Sequence, residues 1–561
     1  VSAELLEMLR DGSRPTRLDR IISSVAPGWG LARFRARAAL AIGGAWVGSS
    51  KDRAELKNFN PIAQTPDEEQ AWERSTLVAR ATDLERNDAL AGGAISELTT
   101  SVVGTGLALH PEPVGQILGW TQDQISDWSA NVKSRFQLWA GEPRECDISR
   151  RRNFYQSQEI LYRTVVSRGD AFALLPTRVH PGGVWATKFQ LLEGDRCLNP
   201  NGQADNETTS QGVSMDEVGG FKSYTFAKRY PNMYHSLGSD DYRTIDAWGS
   251  DGRRQVLHLF HEHRLDVRRG YPLLAPVIST LKQMSRLSDS ELAASVVSSF
   301  FAVVITKPTS GAPGLLGSAK KTEGGQSFTE LGHALVAELS PGESITNVAP
   351  TRPNGAFDPF WRSLLGQIAM RIQIPPEVLL KKFESSYTAA RGALLQFWKF
   401  VTTERENLLA PNYCQPLYEA WLSEEIAAGR IQAPGYFANP LLRAAYSNAR
   451  WIGDNPPILD PLKELLAAEG LVEYGFSTFE EQTSRLTNGD FEANIARQAR
   501  ERRQLKDAGI TPGAPSAPVQ PVVPPIDDSN SEEAQIPPVR GIGHAPGLRS
   551  ALIALALKET V

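Results

Sequence analysis

The residues best placed to do chemistry are His258, His261 and His263 with Glu262 among them, a spacing of HxxHxH. Imidazole nitrogens and a carboxylate oxygen are donors that a divalent metal accepts. Residues 256–260 read as a strand, along which side chains alternate between faces. On that pattern His261 and His263 share a face and His258 points away, giving two ligands and a nearby acid. The other account is a hydrogen-bonded strand end, and no metal is assigned. Phosphate chemistry needs GxxxxGK[ST], whose amides and lysine neutralise the phosphates. Gly48-Ser49-Ser50-Lys51 and Gly317-Ser318-Ala319-Lys320-Lys321-Thr322 lack that spacing and read as basic loops. Gly104-Thr105-Gly106 has no third glycine for a dinucleotide fold and reads as a turn leading into a strand. No GxSxG elbow occurs, and Cys414, between Tyr413 and Gln415, reads as core. The acid pairs Asp240-Asp241 and Asp527-Asp528 fall in loops, whereas a two-metal nuclease needs its carboxylates on a rigid frame. The expectation is a chain that is not an enzyme and carries no cofactor.

The bulk properties agree with a folded, multidomain protein. At 561 residues, 41% apolar and 22% charged, the chain supports roughly three or four domains. A net charge of −5 speaks against binding DNA over the whole surface, yet suits a protein that lets DNA slide past. The three cysteines are far apart, without CxxC spacing, as in a reducing cytoplasm. No apolar run reaches the roughly 18 residues of a membrane helix. The run Ala38–Val47, preceded by Arg33, Arg35 and Arg37, reads as an arginine-rich amphipathic helix, not as a signal peptide. The chain begins at Val1, so an initiator methionine is expected to be missing.

The elements that must position any site follow from pattern and punctuation. A helical pattern covers 67–101 and ends at Val102-Val103-Gly104-Thr105-Gly106. Further helices are expected at 123–139 and 152–168. Across 170–265 short apolar runs (171–175, 188–192, 224–226, 256–260) alternate with Gly, Asn, Asp and Pro clusters, which signals an antiparallel sheet with long loops. A long helix is read over 272–300 and a strand over 301–306. Glycine-rich loops at 311–325, a short helix and an extended piece at 344–348 follow. A helix over 357–372 stops before Pro375-Pro376, and helices at 388–410, 416–428 and 458–508 complete the order. Beyond Thr511, Pro512, Pro515, Pro518, Pro521, Pro524 and Pro525 lead into an acidic run that reads as a flexible linker, with a small amphipathic helix at 548–558. The fold class expected is α+β, mainly helical.

Five motif sets then carry a resemblance. They are Arg80-Ala81-Thr82-Asp83-Leu84-Glu85-Arg86-Asn87-Asp88 running on to Val102-Val103-Gly104-Thr105-Gly106-Leu107; Glu193-Gly194-Asp195-Arg196 with His258-Leu259-Phe260 and Arg268-Arg269-Gly270-Tyr271-Pro272; Ile374-Pro375-Pro376-Glu377-Val378-Leu379 with Ser386-Tyr387-Thr388-Ala389-Ala390-Arg391; Tyr413-Cys414-Gln415-Pro416-Leu417-Tyr418 with Trp421-Leu422; and Asp460-Pro461-Leu462-Lys463-Glu464 with Gly489-Asp490-Phe491-Glu492. In this order, over about residues 65–505, the chain resembles the lambda-type family of tailed-bacteriophage portal proteins. The resemblance implies a portal fold with wing, stem, clip and crown around a central channel, in a ring, usually of twelve subunits, at one capsid vertex. It implies a conduit for double-stranded DNA in packaging and ejection, bound without sequence specificity. The partners it implies are the large terminase subunit (the packaging ATPase), a head-completion adaptor, and a major capsid or scaffolding protein, with no membrane. The location implied is the virion, after assembly in the host cytoplasm. On this template 1–64 is an N-terminal arm, 65–271 the wing, 272–299 and 357–373 the stem helices, and 300–356 the clip. Residues 374–390 are the tunnel loop, 391–510 the channel-wall and crown helices, and 511–561 a Pro-rich tail.

Physical chemistry picks out the same loop. Pro375-Pro376 ends one helix, and Ser385-Ser386-Tyr387-Thr388 offers a cap for the next. Between them Lys381, Lys382 and Phe383 make a stretch whose charges suit a phosphate backbone, with Ser386 and Tyr387 beside them. The alternative is that the lysines simply solvate an interhelical turn. Arg500, Arg502 and Arg503, like the Arg33/Arg35/Arg37 helix, suit phosphate contact or an ordinary exposed face. Lys307, Lys320 and Lys321 are the candidates for docking partners at the clip. A packaging ATPase or nuclease would need the missing phosphate loop and acidic cluster. Another virion component of the head–tail or baseplate region shares the composition but not the motifs.

Overall fold

The computed structural model describes residues 58–230, 238–300, 355–383, 386–456, 461–487 and 491–509, four strands between 303 and 339, and a few isolated positions. Most of the N-terminal arm, Lys307, most of the 311–325 loops, the extended piece 344–348 and the Pro-rich tail lie outside these residues.

The helical stretch read over 67–101 is three helices: α1 (Pro66–Ala71), α2 (Arg74–Asn87) and α3 (Ala89–Val102). Thr65 and Glu68 close a capping box on α1, and Asp88 starts α3 by accepting from the amides of Leu90 and Ala91. Asp88 thus ends one helix and begins another, a break that periodicity alone passes over. Strand β1 (Ala108–Pro111) follows, then α4 (Gln122–Gly141) and α5 (Phe154–Arg168), each opened by a capping box, Thr121/Gln124 and Asn153/Gln156.

The region 170–265 forms two antiparallel sheets, not one. β2 (Asp170–Leu174), buried throughout, is the centre of the first, between β3 (Gln190–Glu193) and β8 (Val256–Phe260). β4 (Thr209–Ser210), β5 (Val213–Met215), β6 (Phe221–Ala227) and β7 (Tyr242–Asp246) form the second, in sequence order. Phe172, Tyr224, Phe226 and Ile245 share a core between them.

After a 3₁₀ turn at Ala275–Val277, α6 runs over Ile278–Phe300. Then come β9 (Val303–Thr306), β10 (Lys320–Lys321), β11 (Ser327–Leu331) and β12 (Ala334–Leu339). The short helix expected after the glycine-rich loops is instead the hairpin β11–β12, whose second strand pairs parallel with β9. Short apolar runs are ambiguous between helix and strand, and here the β9 partner decides.

α7 (Phe357–Ile372) has the bounds read from the sequence; it ends on Gln373 in the left-handed region, φ 60°. A single turn, α8 (Pro376–Leu379), precedes α9 (Tyr387–Glu404). Two separate helices were expected at 388–410 and 416–428. The chain instead continues from α9 through a π-helical segment, Arg405–Cys414, into α10 (Gln415–Ala427). Pro411 lacks the amide that an α-turn needs, and wider π-turns carry the helix past it; the amide of Gln415 donates to the Ala410 carbonyl. α11 (Pro440–Ser447) leads into β13 (Ala449–Ile452), which pairs antiparallel with β1. α12 (Pro461–Glu473), α13 (Phe479–Thr487) and α14 (Phe491–Asp507) complete the order. The chain divides after Phe491 into two compact units, so α14 lies almost wholly in the second.

The main core of the first unit is aromatic. Phe136, Trp139, Phe154, Tyr413, Tyr418 and Trp421 are all fully buried where α4, α5, the π-segment and α10 meet. Edge-to-face pairs such as Phe136 with Trp421, centroids 5.1 Å apart, stabilise that junction beyond the area they bury. Among the described residues no helix is long and apolar enough to cross a membrane.

Candidate functional site

The loop between α7 and α9 is held at its base and exposed at its tip. Ile374 and Val378 are buried against the main core. Beyond them the amide of Lys382 donates to the Glu377 carbonyl at 3.0 Å, which turns the chain outward. Lys381 takes the left-handed conformation, φ 53°, and is exposed, as are Lys382 and Phe383. These three side chains therefore stand together at one tip. The Lys381 ammonium lies 3.3 Å from Glu97 on α3. Ser386 is the cap, its hydroxyl accepting from the Ala389 amide at 3.4 Å. Tyr387 is the first residue of α9; its side chain, like residues 384 and 385, is outside the described residues.

Two polar nodes tie distant segments of the first unit together. In the first, the Arg405 guanidinium, at the start of the π-segment, donates to the carbonyls of Ser101, Val102 and Asp454 at 2.9, 2.6 and 2.6 Å. The Asp454 carboxylate accepts from the amide and hydroxyl of Thr105 at 2.9 and 3.0 Å. Gly104, φ 56°, must be glycine, because a Cβ there would sit 2.0 Å from the Asp454 carboxylate. The Val102-to-Leu107 motif is thus the surface on which the long helix is seated.

The second node is a buried ion cluster. Asp170 accepts from Arg74 at 2.7 Å and from the Nε of Arg269. Arg269 also donates to the carbonyls of Gly194, Cys197 and Gln211 at 2.7, 2.8 and 2.7 Å. Burial opposes the Asp170 charge, but the two guanidinia outweigh it and hold the carboxyl well below the usual range. The three stretches of the second motif set, which start 65 residues apart at Glu193 and His258 and resume at Arg268, meet at this cluster. Their residue types are those that pair a buried charge.

The histidines do not converge. The strand ends at Phe260, so His261 and His263 are free of its alternation. His258 stacks on Phe172, centroids 4.2 Å apart, with Nε2 3.6 Å from Asp170. Burial lowers its pKa to about 4. His261 is bound to Glu404 at 2.8 Å, and His263 packs on Tyr271. The thiols offer no nucleophile: burial pushes Cys146 up to about 12, Cys197 up to about 11, and Cys414 well above its ordinary value.

At the other candidate positions, Lys320 and Lys321 form β10, paired with β11, and their side chains are not described. Arg500, Arg502 and Arg503 are exposed on α14 in the second unit. Sequence reasoning missed Glu97, Arg405, Asp454 and Asp170. Each is a charged residue whose partner lies about 50 to 350 residues away along the chain, or across a loop, and pattern carries no signal for such pairing.

What the loop tip offers is charge and an exposed ring, suited to a polyanion. Comparison with known proteins places the chain in a family. The family model described as phage portal protein, lambda family, matches residues 52–405, which contain the first two motif sets and the third. Portal protein B of Escherichia phage lambda is 24% identical over 488 residues, 83% of this chain and 91% of that protein. The portal protein of Escherichia phage N15 is 25% identical over 482 residues, 82% and 90% of the two chains. Among solved structures, chains from the necks of native and empty gene transfer agent particles align with TM-score 0.34 each, at 11% and 12% identity. They cover 74% and 77% of this chain and 93% and 96% of those. The motifs, the mainly helical α+β architecture and the extent of the family match lead to one conclusion: this chain belongs to the lambda family of phage portal proteins.

Proposed function

We propose that the chain is one subunit of a ring of twelve at a single capsid vertex, the conduit through which double-stranded DNA is packaged and ejected. In that ring 65–271 form the wing, α6 and α7 the stem, and 300–356 the clip, on which the large terminase subunit docks first and the head-completion adaptor later. Lys307, Lys320 and Lys321 belong to this docking face. The tips bearing Lys381, Lys382 and Phe383 face the duplex, with Ser386 and Tyr387 opening the channel-wall helix behind them. The major capsid or scaffolding protein meets the outer surface. The ring assembles in the host cytoplasm and stays in the virion, and the subunit does no chemistry of its own.

The observation that carries this reading is the extent of the family match, residues 52–405, supported by relatives called portal proteins that are matched over 91% and 90% of their length. Electron microscopy of the purified chain tests it. Rings with a central hole wide enough for a duplex are expected. Monomers that turn over nucleotide would replace the ring by a motor.

A further inference from the structure

Away from the loop tip, a cavity of about 510 Å³ opens between the two-sheet lobe and the long helix. Its size suits a small ligand, and junctions between packed lobes are where such sites gather. One wall is aromatic, made by Phe221 and Tyr224 on β6, Trp248 just after β7, and Phe260 on β8. The π-segment faces it with Asn407, Leu408 and Asn412. Turns of this kind are frequent at functional sites.

The polar groups of the cavity differ in how far they are satisfied. The Glu404 carboxylate is occupied, by the Tyr162 hydroxyl at 3.0 Å and by His261 at 2.8 Å. Arg254 is not. Its guanidinium lies 5.0 Å from the centre of the Trp248 ring, and it makes no hydrogen bond or ion pair with any described residue. His258 also borders the cavity, but its ring nitrogens are buried away from it, with Nε2 3.6 Å from Asp170. Asn407 adds an exposed carboxamide from the opposite wall.

Aromatic faces, a carboxamide and one unpaired cation are together what a base carrying a phosphate requires. We propose that this cavity binds a mononucleotide, its base against Trp248 and the aromatic wall, its edge toward Asn407, its phosphate on Arg254. An acidic aromatic peptide also combines a ring with an anion. A phenyl ring has no polar edge, however, and would leave the carboxamide unpaired, a cost the base avoids. The site goes beyond the ring reading and stands or falls without it.

Calorimetric titration of the full chain tests the proposal, with AMP, adenosine, inorganic phosphate and the dipeptide Asp-Phe as probes. AMP is expected to bind with a Kd of about 0.1–1 mM, adenosine about tenfold more weakly, and phosphate not measurably. Trp248 is 52% exposed, so Trp248→Ala should leave the fold intact, checked by an unchanged melting curve. It should weaken AMP about tenfold or more, while Trp248→Phe retains binding. Arg254→Gln should bring AMP down to the level of adenosine. No heat from AMP at about 5 mM, equal affinities in wild type and both loss variants, or tighter binding of Asp-Phe than of AMP overturns the assignment.

Discussion

His258 is the residue whose surroundings make the sharpest demand. Phe172 and Phe260 lie 4.2 and 4.4 Å from it, centroid to centroid, Tyr224 and Phe221 meet it edge-on, and Asp170, Arg269 and Arg74 supply the neighbouring charges. Asp170 favours a proton on the ring, but burial and the two guanidinia outweigh it and lower the pKa from 6.5 to about 4. The unfolded chain therefore takes the proton first as pH falls. The contribution is complete above about pH 6.5 and is lost as pH drops through about 4. At pH 5 the loss should approach about 2 kcal/mol. Urea unfolding of wild type and His258→Phe at pH 7.5 and pH 5 checks this, and the variant should lose most of the difference. Asp170 behaves in the same sense at lower pH, its contribution present above its ordinary 3.8 and lost only below it. None of this was legible in the sequence. HxxHxH suggested a metal or a strand end, because spacing reports proximity along a strand, whereas the environment of His258 comes from Phe172 and Asp170, some ninety residues earlier.

At the scale of elements, legibility followed how locally each boundary is written. Pro375-Pro376 and Gln373 stop α7 within its own sequence, and its bounds were read correctly. A break was read between 410 and 416, yet π-turns carry the helix past Pro411, since it is gripped on both sides by core residues, Leu408 and Leu409 before it, Tyr413 and Cys414 after. The β11–β12 hairpin was taken for a helix because its partner, β9, lies beyond the glycine-rich loops. Gly270 is a case where a motif glycine has a reason visible only in the packing. A Cβ there would lie 2.0 Å from the Gly169 carbonyl oxygen, and Gly169 itself is in the left-handed region, φ 97°. The end of α5 and the start of the segment leading to α6 touch backbone to backbone. Gly270→Ala should therefore cost at least about 2 kcal/mol, seen as a lowered urea midpoint with an unchanged slope. Gly366→Ala, with open space around its Cβ, is the matched control and should be neutral or slightly stabilising.

On the scale of the whole molecule, a net charge of −5 means that attraction to DNA must be local. In the proposed ring the exposed tip with Lys381 and Lys382 is one such place, recurring once per subunit. Weak contacts repeated around a channel hold a polyanion without stopping its movement, because no single contact reads a base. Lys381 also faces Glu97 at 3.3 Å, so its charge is shared between α3 and any phosphate. An exposed pair of this kind is weak enough for a phosphate to displace. Ring assembly should survive Lys381→Ala/Lys382→Ala, since both side chains are exposed, while DNA retention in packaged particles falls. The salt dependence of binding should also flatten, log K against log salt losing about 0.9 in slope for each phosphate contact withdrawn. Glu97→Gln separates the two roles of Lys381. It removes the competing carboxylate, so DNA retention should hold or rise if the lysine serves the duplex. If the pair instead serves only to seat the loop, retention falls with Glu97→Gln as it does with the lysine variant, and the DNA-facing role of the tip is wrong.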